Sequence, residues 1–249
     1  MSEGVSVVRR DSYSESSSSN EKMKKQPQQY VSEVRPSPQP VYYPPPPPPR
    51  FANPTSLGML AYGTVFLCSS LITLGTGNVH TPNMVLVFAM FYGGIMQTLV
   101  GMWSFFLGNT FGGVVFSTYG GFNFTYGALY LPRIGLAQAY SVNGVVTEEF
   151  THAIGIFLAI WCWITFLFCI GSLRTTLSVV FTLGSTVCAL ACLSASTFTG
   201  NAHLNTAGGA LGIVATFGAY YGGLSSLYSG ECTFKAIRLP PLVLTFENA

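Results

Sequence analysis

Between Arg50 and Arg133 the chain carries no Asp, Glu, Lys or Arg. Few environments tolerate that silence. A soluble domain keeps charges of both signs on its surface for solubility, whereas an ionised side chain at bilayer depth is costly. A run this long without charge therefore reads as embedded in lipid. Charged residues are 8% of the chain, against roughly 25% in soluble domains. Twelve of the twenty lie at or before Arg50, leaving only Arg133, Glu148, Glu149, Arg174, Glu231, Lys235, Arg238 and Glu247 beyond it. There is no basic stripe interleaved with aromatics, the footprint of a nucleic-acid binder.

Three regions follow from composition: residues 1–50, 51–230 and 231–249. The first combines Ser16 to Ser19, a mixed-charge patch from Glu21 to Lys25, glutamines and few apolar residues, the composition of a disordered tail. It lacks the apolar core of a cleavable signal peptide, so the first hydrophobic span is expected to direct insertion. Pro44 to Pro49 predicts a stiff polyproline II rod. That rod reads first as a spacer and second as a docking segment for an SH3- or WW-type partner.

From Leu57 onward the chain reads as six apolar segments of about the 20 residues that a crossing helix needs, near 57–75, 84–107, 111–131, 151–172, 176–196 and 204–228. The breaks at Gly75-Thr76-Gly77-Asn78, Gly108-Asn109, Pro132 through Glu149, Arg174 and Gly200-Asn201 combine turn formers with polar groups. Placing Arg50, Arg174, Lys235 and Arg238 inside and Arg133 outside satisfies the positive-inside rule. The expectation is an all-α membrane protein, a six-helix transmembrane bundle with both termini cytoplasmic. The 231–249 segment is then a short cytoplasmic tail.

Gly208 with Gly212, and Gly218 with Gly222, stand one turn apart on the sixth segment and read first as packing ridges that let helix backbones approach and second as pore linings. The six cysteines read as small apolar residues. Cys188 and Cys192 have no His or carboxylate partner in the sequence, so no metal site is expected. His80 and His203 are expected in loops and His152 at a helix end. Glu148 and Glu149, adjacent in a predicted loop, would point apart and make a poor acid–base pair. The nucleophile elbow, phosphate loop and zinc helix are all missing. Neither an enzyme nor a cofactor is expected.

The remaining polar residues suit small anions. Asn53-Pro54-Thr55-Ser56-Leu57-Gly58 offers an N-cap residue followed by proline at the first helical position. Such a helix start can receive an anion on its free N–H groups, or it can simply be capped. The third segment carries Ser117, Thr118, Tyr119, Asn123 and Thr125. These side chains can hydrogen-bond a carboxylate in passage or bond between helices. Gln97 in the second segment is open to both readings.

The same residues resemble a known family. Asn53 to Gly58 is similar to the NPAPLGL signature of the acetate uptake transporter family, which includes the yeast acetate permeases and the bacterial succinate-acetate permease. FYGGIMQTLVGMW from Phe91, GNTFGGVVFSTYGGF from Gly108 and AGGALGIVATFGAYYGGL from Ala207 resemble its later helices. The resemblance spans most of 53–228. It implies a six-helix protomer, hexameric in bacterial members, with a pore for acetate or related monocarboxylates in each protomer. The aromatic members of the family's constriction fall at Tyr62 and Tyr119, and the aliphatic one at Leu183, with Ser185 as rival. Thr55-Ser56 stands for the family's Ala-Pro, Tyr62 for Phe, Asn123 for Trp, and Ser104 for Glu.

The expected function is a plasma-membrane transporter or channel for acetate and related monocarboxylates, with coupling to protons compatible with the sequence. The lipid bilayer is its environment and a homo-oligomer its expected assembly. A non-transporting acetate sensor or scaffold, signalling through the N-terminal tail, and an ammonium exporter are the alternatives.

Overall fold

The computed structural model describes residues 51–228 and 232–244. The expected tail over 1–50, its proline rod and its SH3- or WW-type partner lie outside these residues. Six long helices follow one another: α1 (Thr55–Thr73), α2 (Asn83–Phe106), α3 (Thr110–Leu129), α4 (Glu148–Gly171), α5 (Leu177–Thr199) and α6 (Ala202–Leu227). All of them except α3 are long and apolar enough to cross a membrane. The glycines and the polar row of α3 keep its twenty residues below that mark. The protein is thus a mostly helical, multi-pass membrane protein.

Helix ends follow local chemistry. Pro54 already has helical dihedrals, and its carbonyl accepts from Gly58 N at 3.2 Å. Asn53 Oδ1 accepts from Thr55 N at 3.0 Å, so the side chain satisfies a free donor of the first turn. Asn109 caps α3 in the same way, accepting from Gly112 N at 2.9 Å. Gly75 (φ +69°) and Gly200 (φ +65°) end α1 and α5 in the left-handed region, where glycine has no Cβ penalty.

Three local features differ from expectation. Residues Phe88–Gly94 of α2 are wound as a π-helix, an expansion that hydropathy does not encode. Glu148 and Glu149 are not in a loop but form the first turn of α4, where the positive end of the helix dipole favours acidic groups. His203 lies in the first turn of α6, its N–H donating to Asn201 Oδ1. The connection from Pro132 to Thr147 contains one helical turn (Leu136–Ala139) and a short antiparallel hairpin, β1 (Ser141–Val142) and β2 (Val145–Val146).

The sixth helix packs between α1 and α5 along its small residues. A Cβ at Gly212 would overlap Ser70 Oγ of α1, and one at Gly218 would meet Thr182 Oγ1 of α5 at 2.6 Å. The glycines thus set the helix separation. The α2–α3 pair closes in the same way, with a Cβ at Gly101 overlapping Ser117 Oγ. By contrast α4 presents Ile156, Ile160, Trp163, Leu167 and Ile170 outward, as a helix facing lipid does. After α6 the chain returns and pairs with the start of α5 through a bridge between Val243 and Thr176.

Candidate functional site

Among the described residues, two cavities stand out inside the bundle. The first, of about 230 Å³, reaches Thr73 at the end of α1, Tyr130 just past α3, Ile154 near the start of α4, Thr197 near the end of α5 and Asn205 in the first turn of α6. The second, of about 210 Å³, reaches Thr55, Asn109 and Thr175 at the opposite ends of these helices. Only Tyr62 and Tyr119 line both. Their rings meet edge to face with centroids 5.3 Å apart, a favoured arrangement for aromatic pairs. The two rings separate one cavity from the other.

Both tyrosines are tied to neighbouring helices. Tyr119 donates its hydroxyl proton to Thr165 Oγ1 of α4 at 2.9 Å. The Tyr62 hydroxyl is hydrogen-bonded to Thr186 Oγ1 of α5. Phe66, Phe122 and Phe168 pack against the pair. On the first-cavity side Phe122 stacks on Tyr126 (centroids 5.5 Å, 17°) and meets Trp161 edge-on at 4.9 Å. On the second-cavity side the walls are Met59, Phe111, Val115, Phe116, Val179 and Leu183, with Thr182 as a polar contact near the tyrosines.

The sequence-derived candidates divide. Tyr62 and Tyr119 sit at the junction, Asn123 lines the first cavity and Leu183 the second, while the rival Ser185 lines neither. Gln97 is fully buried behind Asn123, accepting from its Nδ2 at 2.8 Å; Asn123 donates also to Tyr119 O at 2.9 Å. Ser117 faces Gly101 on α2, and Thr118 lines neither cavity. Asn53 is exposed beside the second-cavity mouth, next to the lining residue Thr55. Ser104 is buried and donates back to Val100 O at 2.8 Å.

Two contributors were missed at the sequence level. Thr186 stands one turn after Leu183, so the face chosen for Leu183 already contained it. Thr165 carried no such signal. Neither cavity is lined by Asp, Glu, Lys, Arg or His. Among the described residues no three His, Cys, Asp or Glu side chains gather as a metal site.

The chemistry on offer is therefore a narrow, uncharged passage bearing hydroxyl, amide and aromatic groups. Known proteins are similar to this chain in sequence and fold. The structure of the bacterial acetate channel SatP superposes with a TM-score of 0.65 at 26% identity, covering 74% of this chain and 96% of that one. Acetate permease A of Emericella nidulans is 29% identical over 195 residues, 76% of this chain and 65% of the relative. Ammonia transport outward protein 2 of Saccharomyces cerevisiae is 33% identical over 187 residues, 74% of this chain and 63% of the relative. The chain thus spans just under two thirds of the length of these two relatives. The model of the GPR1/FUN34/yaaH family matches residues 35–245. With most of its length matched and the two-cavity bundle in place, this chain belongs to the GPR1/FUN34/yaaH family.

Proposed function

We propose that this protein is a plasma-membrane transporter or channel for acetate and related small monocarboxylates. In this reading it crosses the bilayer six times, with both termini cytoplasmic. The observation that carries the proposal is the pair of cavities approached from opposite helix ends and separated by Tyr62 and Tyr119. The likeness to SatP, whose structure is that of an acetate channel, supports it, as does the relationship to an acetate permease.

Passage works by exchanging water for fixed polar groups. At the second-cavity mouth, Thr55 and Asn109 stand at the starts of α1 and α3, where helix dipoles favour a carboxylate. Deeper in, Leu183, Val115 and Met59 strip water from the methyl end, and Thr182 offers a hydroxyl. A bare anion at the tyrosine pair meets no counter-charge, and desolvating it there is costly. The proton therefore crosses on the substrate, which needs no resident carboxylate at Ser104. Beyond the pair, Asn123, Ser69 and Thr197 rehydrate the carboxyl end stepwise.

The test is uptake of labelled acetate by purified protein in liposomes, with and without an inward proton gradient. Accumulation above empty liposomes under the gradient means coupled transport. Equilibration without accumulation means a channel. No uptake overturns the proposal and favours the acetate sensor or scaffold, which deletion of residues 1–49 then tests through its signalling output. A second reading, ammonia export, is favoured by the aromatic walls of the first cavity, whose ring faces attract cations, and by the relationship to an ammonia transport outward protein. Replacing labelled acetate with a methylammonium tracer in the same liposomes separates the two.

A further inference from the structure

We propose that Thr165 and Thr186 are positioning residues that latch the tyrosine pair shut, and that the carboxyl group of the substrate opens it by competing for the two phenol protons. This inference rests on the transport reading above and specifies how passage is regulated at the same junction.

Counting protons fixes the direction of both bonds. A threonine hydroxyl has one proton to donate. Thr165 gives its proton to Trp161 O at 2.7 Å and Thr186 gives its own to Thr182 O at 2.7 Å. Each threonine therefore meets its tyrosine as an acceptor. Tyr119 donates to Thr165, and by the same count Tyr62 donates to Thr186. Both phenol protons are committed to helices α4 and α5, and both rings are pinned between the cavities. The four groups are buried, with Thr165 at 0% exposure and Thr186 at 3%, so water reaches these bonds only by way of the two cavities.

The substrate reaches the junction as the acid, and its carbonyl oxygen still offers an acceptor that needs a donor. The donors at the junction are the same two phenols. Binding the substrate there requires releasing the threonines, which frees the rings to turn. Water gains nothing comparable, because exchanging a threonine acceptor for a water oxygen leaves the ring no better bonded while costing the order of the trapped molecule. Tyr62 stands where the family pattern has Phe, so the Thr186 half of the latch depends on a hydroxyl that the pattern lacks.

The test uses the full chain in liposomes, with two readouts: labelled acetate uptake, and osmotic water permeability by stopped-flow light scattering. The Thr165→Val, Thr186→Val double variant keeps side-chain volume and removes both acceptors. Acetate flux and water permeability are both expected to rise, roughly fivefold for each hydrogen bond removed. The Thr→Ser double variant, which keeps the acceptors, should restore the closed behaviour. Should the valine variant fail to fold, Tyr62→Phe removes one phenol proton without touching either threonine; the same rise in water permeability is expected for that bond, without a matching rise in acetate flux, because that phenol no longer serves the substrate. Unchanged or lower water permeability in variants that elute like the parent overturns the latch. If the parent takes up no acetate, the transport reading fails by itself and the water measurement alone decides the latch.

Discussion

The two cavities have similar volumes and opposite walls. The first is bounded by stacked and edge-on aromatic rings interspersed with Ser69, Thr73, Asn123, Ser196, Thr197 and Asn205. The second is bounded chiefly by aliphatic and phenylalanine side chains, with its polar groups gathered largely at the starts of α1, α3 and α5. A carboxylate approaching through the second cavity is received by helix termini and then dehydrated. One approaching through the first meets side-chain hydroxyls and amides along its path. The difference teaches that an uncharged passage can be polar in two ways, through backbone dipoles at one end and through side chains at the other.

The largest expected effect comes from filling the aliphatic side. Leu183→Trp occupies the second cavity and should abolish acetate uptake in liposomes, with a stability cost of about 1–3 kcal/mol from overpacking. Uptake at the parent rate would mean that substrate does not use this cavity. Next is Tyr119→Ala, which removes one of the two rings and merges the cavities. Acetate flux should change and larger carboxylates such as benzoate should enter. Unchanged uptake kinetics for both would break the idea that the tyrosines separate two compartments. The smallest effect on flux is expected at Asn123→Ala. It takes from the fully buried Gln97 side chain its only hydrogen-bond partner among the described residues, an orphaning that costs about 1–3 kcal/mol of stability. Thermal unfolding should report that loss, with only a small fall in uptake because Ser69 and Thr197 share the rehydration of the substrate; an uptake defect without a stability change would mean that Asn123 serves the substrate and not the fold.

The polar row of α3 illustrates how far the sequence carried the site. Ser117, Thr118, Tyr119, Asn123 and Thr125 look alike as a list, yet helical geometry turns each by about 100° from the last. Tyr119 and Asn123, four apart, share the face toward the first cavity with Phe122 and Tyr126. Ser117 turns to Gly101 of α2, and Thr125 is exposed and bonds back to Gly121 O. In a soluble protein the polar face would point to water and reveal the orientation. In lipid both the outside and the helix contacts are apolar, so the pattern leaves the facing direction open.

What the sequence determined by itself is the lipid environment, the helix positions and the punctuation between them. The absence of charge fixes the first, because ionised groups are excluded from hydrocarbon. Gly75, Gly108-Asn109 and Gly200-Asn201 mark breaks that do not depend on tertiary contacts. Only the tertiary structure decided which polar groups meet. Thr165 and Thr186 lie 46 and 124 residues from the tyrosines they hold, and their roles exist only once α4 and α5 pack beside α3 and α1. Hydrogen bonds between helices are set by distance and angle in space, and no local pattern along the chain encodes either.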